Sequence, residues 1–287
     1  MLVPAIAAAL AVSPVSAQSA AEPLEMTPSS VWEADYGEDS CALRRAFKSG
    51  EDEAILQLRQ FGPGDIFEVT LASRTLSRTN EAPRVRFEPD ESFFEPSQPE
   101  FIEEGDLHGV FYTDSLRPVA LKPLPGPFSD WSEAERQARE RAITGLSIIR
   151  SFERDLILRT GRMDQAMSAM RACLDDLLAQ WGIDPTQQRS LSRPPQPIDL
   201  TRWARRIQSS YPSDMLQVGR GGRVHISLVV GADGKPTSCI PQGYANPSFK
   251  EHACGTTMRY ARFEPALNAD GAPVSSLYAM TLDYGLF

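Results

Sequence analysis

The stretch that decides the fold of the C-terminal part of the chain is Val224-His225-Ile226-Ser227-Leu228-Val229-Val230. Val224, Ile226, Leu228 and Val230 alternate with other residues, which predicts a strand with one buried face. Ala232-Asp233-Gly234-Lys235 follows as a hairpin turn, and Pro236 to Ile240 as the returning strand. The stretch therefore predicts a small antiparallel sheet.

A helix and a last strand complete this part of the chain. Ser248-x-x-Glu251 matches a capping box at a helix start, and Leu277 to Tyr284 predicts the last strand. One helix on one face of a small sheet leaves the opposite face and the sheet edges exposed. An edge strand presents unpaired N–H and C=O groups, to which an extended peptide can add.

Five short motifs of this region resemble the C-terminal domain of the TonB family. They are Tyr211-Pro212, Gly222-x-Val224, Gly234 after the first strand, Phe263-x-Pro265-Ala266 and Gly271-x-Pro273-Val274. The resemblance covers residues 205–287 only, and the N-terminal part is not recognised. It implies a domain without catalytic residues, whose edge pairs with a peptide of an outer-membrane receptor. Homodimers by strand exchange are also known for such domains, which makes a dimer an expectation to test.

The N-terminal part predicts a β-rich domain that ends in a helical hairpin, so the chain as a whole is predicted to be α+β. Ser132-x-x-Glu135 marks the start of the first helix, which apolar spacing extends to Thr160-Gly161; the second runs from Asp164 to Gly182. Pro89 to Asp106 is predicted to be a loop. The predicted strands are Cys41–Phe47, Ala54–Leu58, Ile66–Leu71, Arg84–Phe87, Gly109–Tyr112 and Pro118–Leu121.

The length of 287 residues and these patterns predict two domains and their flanking segments. The division is residues 1–17 as a signal peptide, 18–30 as a disordered tail, 31–188 as the N-terminal domain, 189–199 as a Pro-rich linker and 200–287 as the TonB-like domain. Val15-Ser16-Ala17 fits a cleavage site, but no Lys or Arg precedes the apolar run, so an uncleaved inner-membrane anchor stays open. The segment predicts export to the periplasm of a Gram-negative bacterium.

Four cysteines, two in each predicted domain, predict two structural disulfides in an exported chain. Cys41–Cys173 and Cys239–Cys254 are the expected pairs, although four cysteines permit three connectivities. The net charge of −9 and the pI of about 5.0 argue against nucleic acid as a partner and against a basic membrane-surface patch.

The sequence assigns no catalytic, cofactor-binding or metal-binding residue. His108 lies beside a predicted turn, His225 on the outward strand face and His252 inside the C-terminal helix, and none belongs to a motif with a known mechanism. The spacing of Met163, Met167 and Met170 favours core over a binding face. The acidic run from Glu100 to Asp106 lacks the order of a calcium loop, and Arg220-Gly221-Gly222-Arg223 precedes a strand, unlike a phosphate-binding loop.

The resulting hypothesis is an exported, non-enzymatic protein whose TonB-like domain binds a protein partner by strand addition, with a link to TonB-type energy transduction or outer-membrane transport. The linker of about ten residues spans only ~30 Å when extended, which is short for crossing the periplasm. Two alternatives stay open: a structural envelope protein uncoupled from transport, and a hydrolytic enzyme that uses the N-terminal domain.

Overall fold

The structure is a computed structural model that describes residues 22–97, 99–122, 131–243 and 245–285, without the side chain of residue 208. The predicted signal peptide, residues 1–17, lies outside the described residues. The mixed content of helices and sheets confirms the α+β class.

The N-terminal part forms one large curled sheet. Its strands are β1 (Leu24–Pro28), β2 (Glu33–Tyr36), β3 (Cys41–Ser49), β4 (Asp52–Gln60), β5 (Ile66–Ser73), β6 (Arg84–Glu88), β7 (Glu100–Glu104), β8 (Leu107–Ser115), β9 (Gly145–Ile149) and β10 (Leu156–Leu158). They lie in the order β6-β9-β10-β1-β3-β4-β5-β8-β7, and β2 pairs with β3 beside this path. All pairs are antiparallel except β1 with β10.

Helix α2 (Asp164–Gln180) covers this sheet, and helix α1 (Glu133–Ala142) contacts α2. The apolar stripe of α2, which includes Met167, Met170 and Leu174, is buried in the same core as Phe47, Leu58 and other strand residues. Met163 also lies in this core, so the methionines are core residues, as their spacing predicts. The predicted Cys41–Cys173 disulfide is confirmed and joins β3 to α2.

The predicted helical hairpin is wrong in its first half. The capping box of Ser132 and Glu135 does begin α1, but this helix ends at Ala142. The next apolar residues form the strands β9 and β10, in which Leu146, Ile148 and Leu156 are fully buried. Strands that are buried on both faces lack a visible alternation, so the same residues also fit a helical spacing.

Three further predictions for the N-terminal part need correction. Residues 24–28 of the predicted disordered tail form β1, because Leu24 and Met26 fill the core and the strand pairs with β3 and β10. Glu100–Glu104 of the predicted loop forms the edge strand β7. In the predicted strand Pro118–Leu121, Val119–Leu121 is a single 3-10 turn instead.

The C-terminal part contains a three-stranded sheet backed by helices. The helices are α3 (Pro185–Arg189), α4 (Leu200–Ser209), α5 (Ser213–Gln217) and α6 (Pro247–Tyr260). The strands are β11 (Gln196–Pro197), β12 (Gly222–Val230), β13 (Pro236–Gln242), β14 (Phe263–Glu264), β15 (Ala266–Leu267), β16 (Pro273–Val274) and β17 (Ser276–Tyr284). The sheet has the order β13-β12-β17, with all pairs antiparallel.

Two glycines of the TonB-like motifs are fixed by close packing. A Cβ at Gly222 would lie 2.6 Å from the Phe249 ring of α6. Gly234 has φ +76°, and a Cβ there would lie 2.0 Å from the carbonyl oxygen of Phe263. The backbone N–H of Phe263 donates to the carbonyl of Gly234 at 2.9 Å. Gly222 therefore lets the start of β12 pack against α6, and Gly234 lets the hairpin turn approach β14; a side chain at either position would clash.

The predicted linker does not run free between the domains. Its residues Gln196 and Pro197 pair as β11 with β14, and the backbone of Ser192 and Arg193 bonds to Leu267. The segment is thus part of the C-terminal fold. The predicted Cys239–Cys254 disulfide is confirmed and joins β13 to α6.

Candidate partner-binding edge and interdomain cleft

The outer edge of β17 is the candidate binding site. Within the described part of the chain, β17 pairs with β12 alone, so one side of its backbone has no sheet partner. The N–H of Leu277 donates to Oε1 of Gln188 at 3.0 Å, so it points away from β12. Because both backbone groups of a residue point the same way and neighbours alternate, Ala279, Thr281 and Asp283 also face outward.

The two edges of this sheet differ in their capacity to accept a strand. The other edge strand, β13, contains Pro236 and Pro241, which have no N–H to donate. Prolines on an edge strand oppose the addition of another chain. The nine residues of β17 include no proline. The open, receptive edge of the sheet is therefore that of β17.

The helix side of β17 is anchored by an aromatic cluster. The Tyr284 ring lies 4.8 Å from that of Phe249 and 5.5 Å from that of Tyr211. Nδ1 of His252 lies 3.0 Å from the Tyr284 hydroxyl. Burial lowers the pKa of His252, and burial together with Tyr211 raises the pKa of Tyr284. Both groups are thus neutral at neutral pH, and the cluster holds the strand in place without charge.

The opposite face of the sheet was predicted to be exposed, and this is wrong. The His225 ring stacks on Phe61 at 5.2 Å, and its Nε2 lies 3.3 Å from Oε1 of Glu68. Val229 and Leu277 share an apolar cluster with Leu178 and Ile183, and a partly buried Ile240 packs on them. The N-terminal domain therefore covers much of this face, and His225 faces that domain rather than solvent.

A cleft remains between the two domains next to the open edge. One cavity of about 330 Å³ is lined by Phe61, Pro63 and Ile66 on the N-terminal side and by Ala279 and Thr281 of β17. A second of about 490 Å³ lies beyond the contact between His225 and Glu68, and its lining includes Arg59, Glu100 and Arg223. The first cavity is the more relevant to partner binding, because it reaches the outward-facing residues of β17.

The remaining two histidines lie in different parts of the described structure. His108 lies on β8 opposite Ser73 of β5 and Glu103 of β7, and it lines none of the cavities described above. His252 belongs to the aromatic cluster of Tyr284. In the described ranges, no group of three or more His, Cys, Asp or Glu side chains is placed to hold a metal ion.

The acidic run is the strand β7, where Glu103 pairs with Arg78. Arg220 to Arg223 leads from α5 into β12, where Arg223 pairs with Asp283.

A further cavity, of about 100 Å³, lies in the N-terminal domain. Phe67, Trp131 and Met167 are among its lining residues. Its buried carboxylates are paired: Asp65 with Arg117 at 2.7 Å, and Glu140 with Arg171 at 2.6 Å. Burial raises the pKa of Glu140, against the opposing effect of Arg171. These pairs account for the carboxylates as elements of the structure.

Comparison with known families decides the identity of the C-terminal domain. Residues 207–286 match the family model of the Gram-negative bacterial TonB protein C-terminal domain. This part of the chain is a TonB-like C-terminal domain. No curated protein and no solved structure matches the chain. A TonB-like domain indicates a protein of the Gram-negative envelope with a TonB-like role in the energising of transport. Among the described residues, no helix is long and apolar enough to cross a membrane.

The sequence located this domain, but not the strand that offers the edge or what covers its other face. The absence of proline from β17 was a usable signal, since β13 carries two. The contact of Phe61 with His225 across the domains had no signal in the sequence, because it joins residues far apart in the chain.

Proposed function

We propose that the TonB-like domain binds an extended segment of an envelope protein by strand addition to the outer edge of β17, as a periplasmic component of outer-membrane transport. The observation that carries this proposal is the outward backbone of Ala279, Thr281 and Asp283, which has no sheet partner in the described residues. Each of these residues offers one N–H and one C=O to a new strand.

The N-terminal domain supplies the second wall of the binding site. A strand added to β17 places alternate side chains on the same face as Ala279 and Thr281. That face looks into the cavity lined by Pro63 and Ile66, and Ile66 is 45% exposed. Contacts such as those of His225 with Phe61 and Glu68 hold this wall in position, so little ordering is needed on binding.

The proposed activity is binding, without catalysis. The buried carboxylates of the N-terminal cavity are held in ion pairs, and His108 lies at the opposite end of the β5–β8 strand pair from Asp65. A purely structural envelope protein also binds a partner at the edge of β17. Under that alternative, the partner is not an outer-membrane receptor.

The substitution Ala279→Pro tests strand addition directly. It removes one outward N–H while leaving the pairing of β17 with β12 intact, because Ala279 does not face β12. Ala279→Val is the matched control, since it adds similar bulk and retains the N–H. Binding would be measured by calorimetry against synthetic peptides of the periplasm-facing N-terminal segments of outer-membrane receptors.

We expect Ala279→Pro to lower the affinity about tenfold or more, because loss of one hydrogen bond and the steric effect of the ring both oppose pairing. Ala279→Val is expected to bind within about threefold of the unsubstituted protein, since the difference is below about 1 kcal/mol. Equal affinity of the two variants would refute strand addition at this edge. If no receptor segment binds, the partner is not a receptor, and the structural alternative stands.

A further inference from the structure

An exposed cluster of arginines lies on the helical side of the TonB-like domain. We call it the arginine surface: Arg202, Arg205 and Arg206 of α4, with Arg259 and Arg262 at the end of α6, all exposed. Helix α4 packs on α6, which packs on β12 and β13. Because the N-terminal domain covers the other face of this sheet, the arginine surface lies away from that domain.

The surface follows from the amphipathic character of α4. Trp203 and Ile207 are buried, so the arginines between and around them project outward. The Arg206 guanidinium lies 4.8 Å from the centre of the Tyr260 ring, and that of Arg259 lies 5.6 Å from the same ring. Nη1 of Arg262 donates to the carbonyl of Ala261 at 2.6 Å. The two helices thus present their arginines side by side.

The positive charge of this surface is largely uncompensated. Arg202 is 4.0 Å from Asp199. In the described part of the chain, the other four arginines of the surface have no carboxylate within ion-pair distance, and the nearby Glu264 pairs instead with Arg193. Like charges held together repel one another, so an anionic partner is favoured there.

An exposed aliphatic side chain borders the arginines. Ile198 is 49% exposed. The backbone N–H of Ile198 donates to the carbonyl of Arg262 at 2.8 Å, which places this residue at the margin of the surface. Basic side chains beside an exposed aliphatic side chain suit a lipid surface, which offers anionic headgroups next to an apolar layer.

We propose that the arginine surface binds the headgroups of an anionic phospholipid bilayer. The phosphates pair with the guanidinium groups, and Ile198 reaches the boundary of the acyl chains. The net charge of −9 argued against such a patch, but it averages over the whole chain. Arginines of two separate helices become neighbours only in the fold. This site is independent of the edge of β17, so either can fail without the other.

The test is co-sedimentation of the full chain with vesicles that contain phosphatidylglycerol and phosphatidylethanolamine, beside vesicles of phosphatidylcholine alone. The variant Arg205→Glu/Arg206→Glu reverses two charges of the surface. Arg141→Glu/Arg154→Glu is the matched control, because both residues are exposed, lie in the N-terminal domain and give the same change of net charge. Ile198→Ser tests the aliphatic contribution.

We expect the unsubstituted chain and the control to bind the anionic vesicles and not the phosphatidylcholine vesicles. Reversal of Arg205 and Arg206 is expected to weaken binding roughly tenfold or more, since each basic residue near the surface adds to the attraction. If both charge-reversal variants lose vesicle binding equally, the proposal is overturned, because the loss then follows from the net charge of the chain and not from the arginine surface. It would also be overturned if no vesicle binds while Arg205 and Arg206 mediate salt-sensitive self-association, which would identify an acidic protein surface as the partner.

Discussion

At the scale of single residues, the contact between His252 and Tyr284 makes the stability of the TonB-like domain depend on pH. Burial lowers the pKa of His252 from its ordinary value of 6.5. Below pH 6.5 the unfolded chain therefore binds more protons than the folded chain, so the free energy of unfolding falls as the pH drops toward the folded-state pKa. The neutral ring that contacts the Tyr284 hydroxyl is the form that the fold favours.

His252→Gln is expected to reduce this sensitivity to acid. Glutamine keeps a polar contact with Tyr284 but does not titrate, so the variant should lose less stability than the unsubstituted protein between pH 7.5 and pH 5. Urea unfolding at the two pH values measures the difference, and effects of the carboxylates are common to both proteins. An equal loss in both would show that His252 is not a source of the pH dependence.

The start of α6 shows how a helix boundary is set at the scale of elements. The sequence predicted a capping box of Ser248 and Glu251, but the cap is Asn246, whose side chain accepts from the N–H of Ser248 at 2.9 Å. Pro247 occupies the first turn, and the Ser248 hydroxyl donates to Asp214 of α5 instead. An Asn-Pro pair and a Ser-x-x-Glu pattern overlap here, and proline in the first helical position favours the earlier start.

Asn246→Ala should therefore lower the free energy of unfolding by about 1 kcal/mol, since it removes the cap. Glu251→Ala should change it by less than about 0.5 kcal/mol, because Glu251 is an exposed residue outside the cap. Chemical denaturation of both variants measures these differences. A larger cost for Glu251→Ala than for Asn246→Ala would restore the predicted capping box.

Elements with a local signal were predictable, and elements defined by distant contacts were not. The β12–β13 hairpin and the start of α1 follow from turn and capping residues a few positions apart. In contrast, β1 exists because its first residues pair with β10 and its last residues, Thr27 and Pro28, pair with β3. These two partner strands lie more than a hundred residues apart in the chain. The strand β17 could be predicted, but its place at the open edge and the N-terminal wall beside it could not.

At the scale of the whole molecule, the two domains are joined by hydrogen bonds as well as by an apolar cluster. Gln242 of β13 is buried, and its Nε2 donates to the carbonyl of Phe61 at 2.7 Å and to that of Asp39 at 3.0 Å. These bonds cross from the TonB-like domain to the N-terminal domain. They place the wall that carries Pro63 and Ile66 beside the open edge.

Gln242→Ala is expected to weaken the docking of the two domains by about 1–3 kcal/mol, because it removes the two hydrogen bonds that its side chain donates across the contact. The domains should then unfold in separate transitions, and limited proteolysis should cut between them sooner. Gln217→Ala is the control, since Gln217 is exposed. Unchanged, coincident transitions in the Gln242 variant would show that the apolar cluster alone holds the domains together.

Hydrogen exchange of the β17 amides tests the central claim most directly. In the free chain, the amides of Ala279, Thr281 and Asp283 should exchange fast, whereas those of Tyr278, Met280 and Leu282, which face β12, should exchange slowly. Addition of a receptor segment that binds should slow the outward amides and leave the inward ones unchanged. Outward amides that are already protected in the free chain, or that stay fast in the complex, would contradict the proposal that this edge accepts the partner.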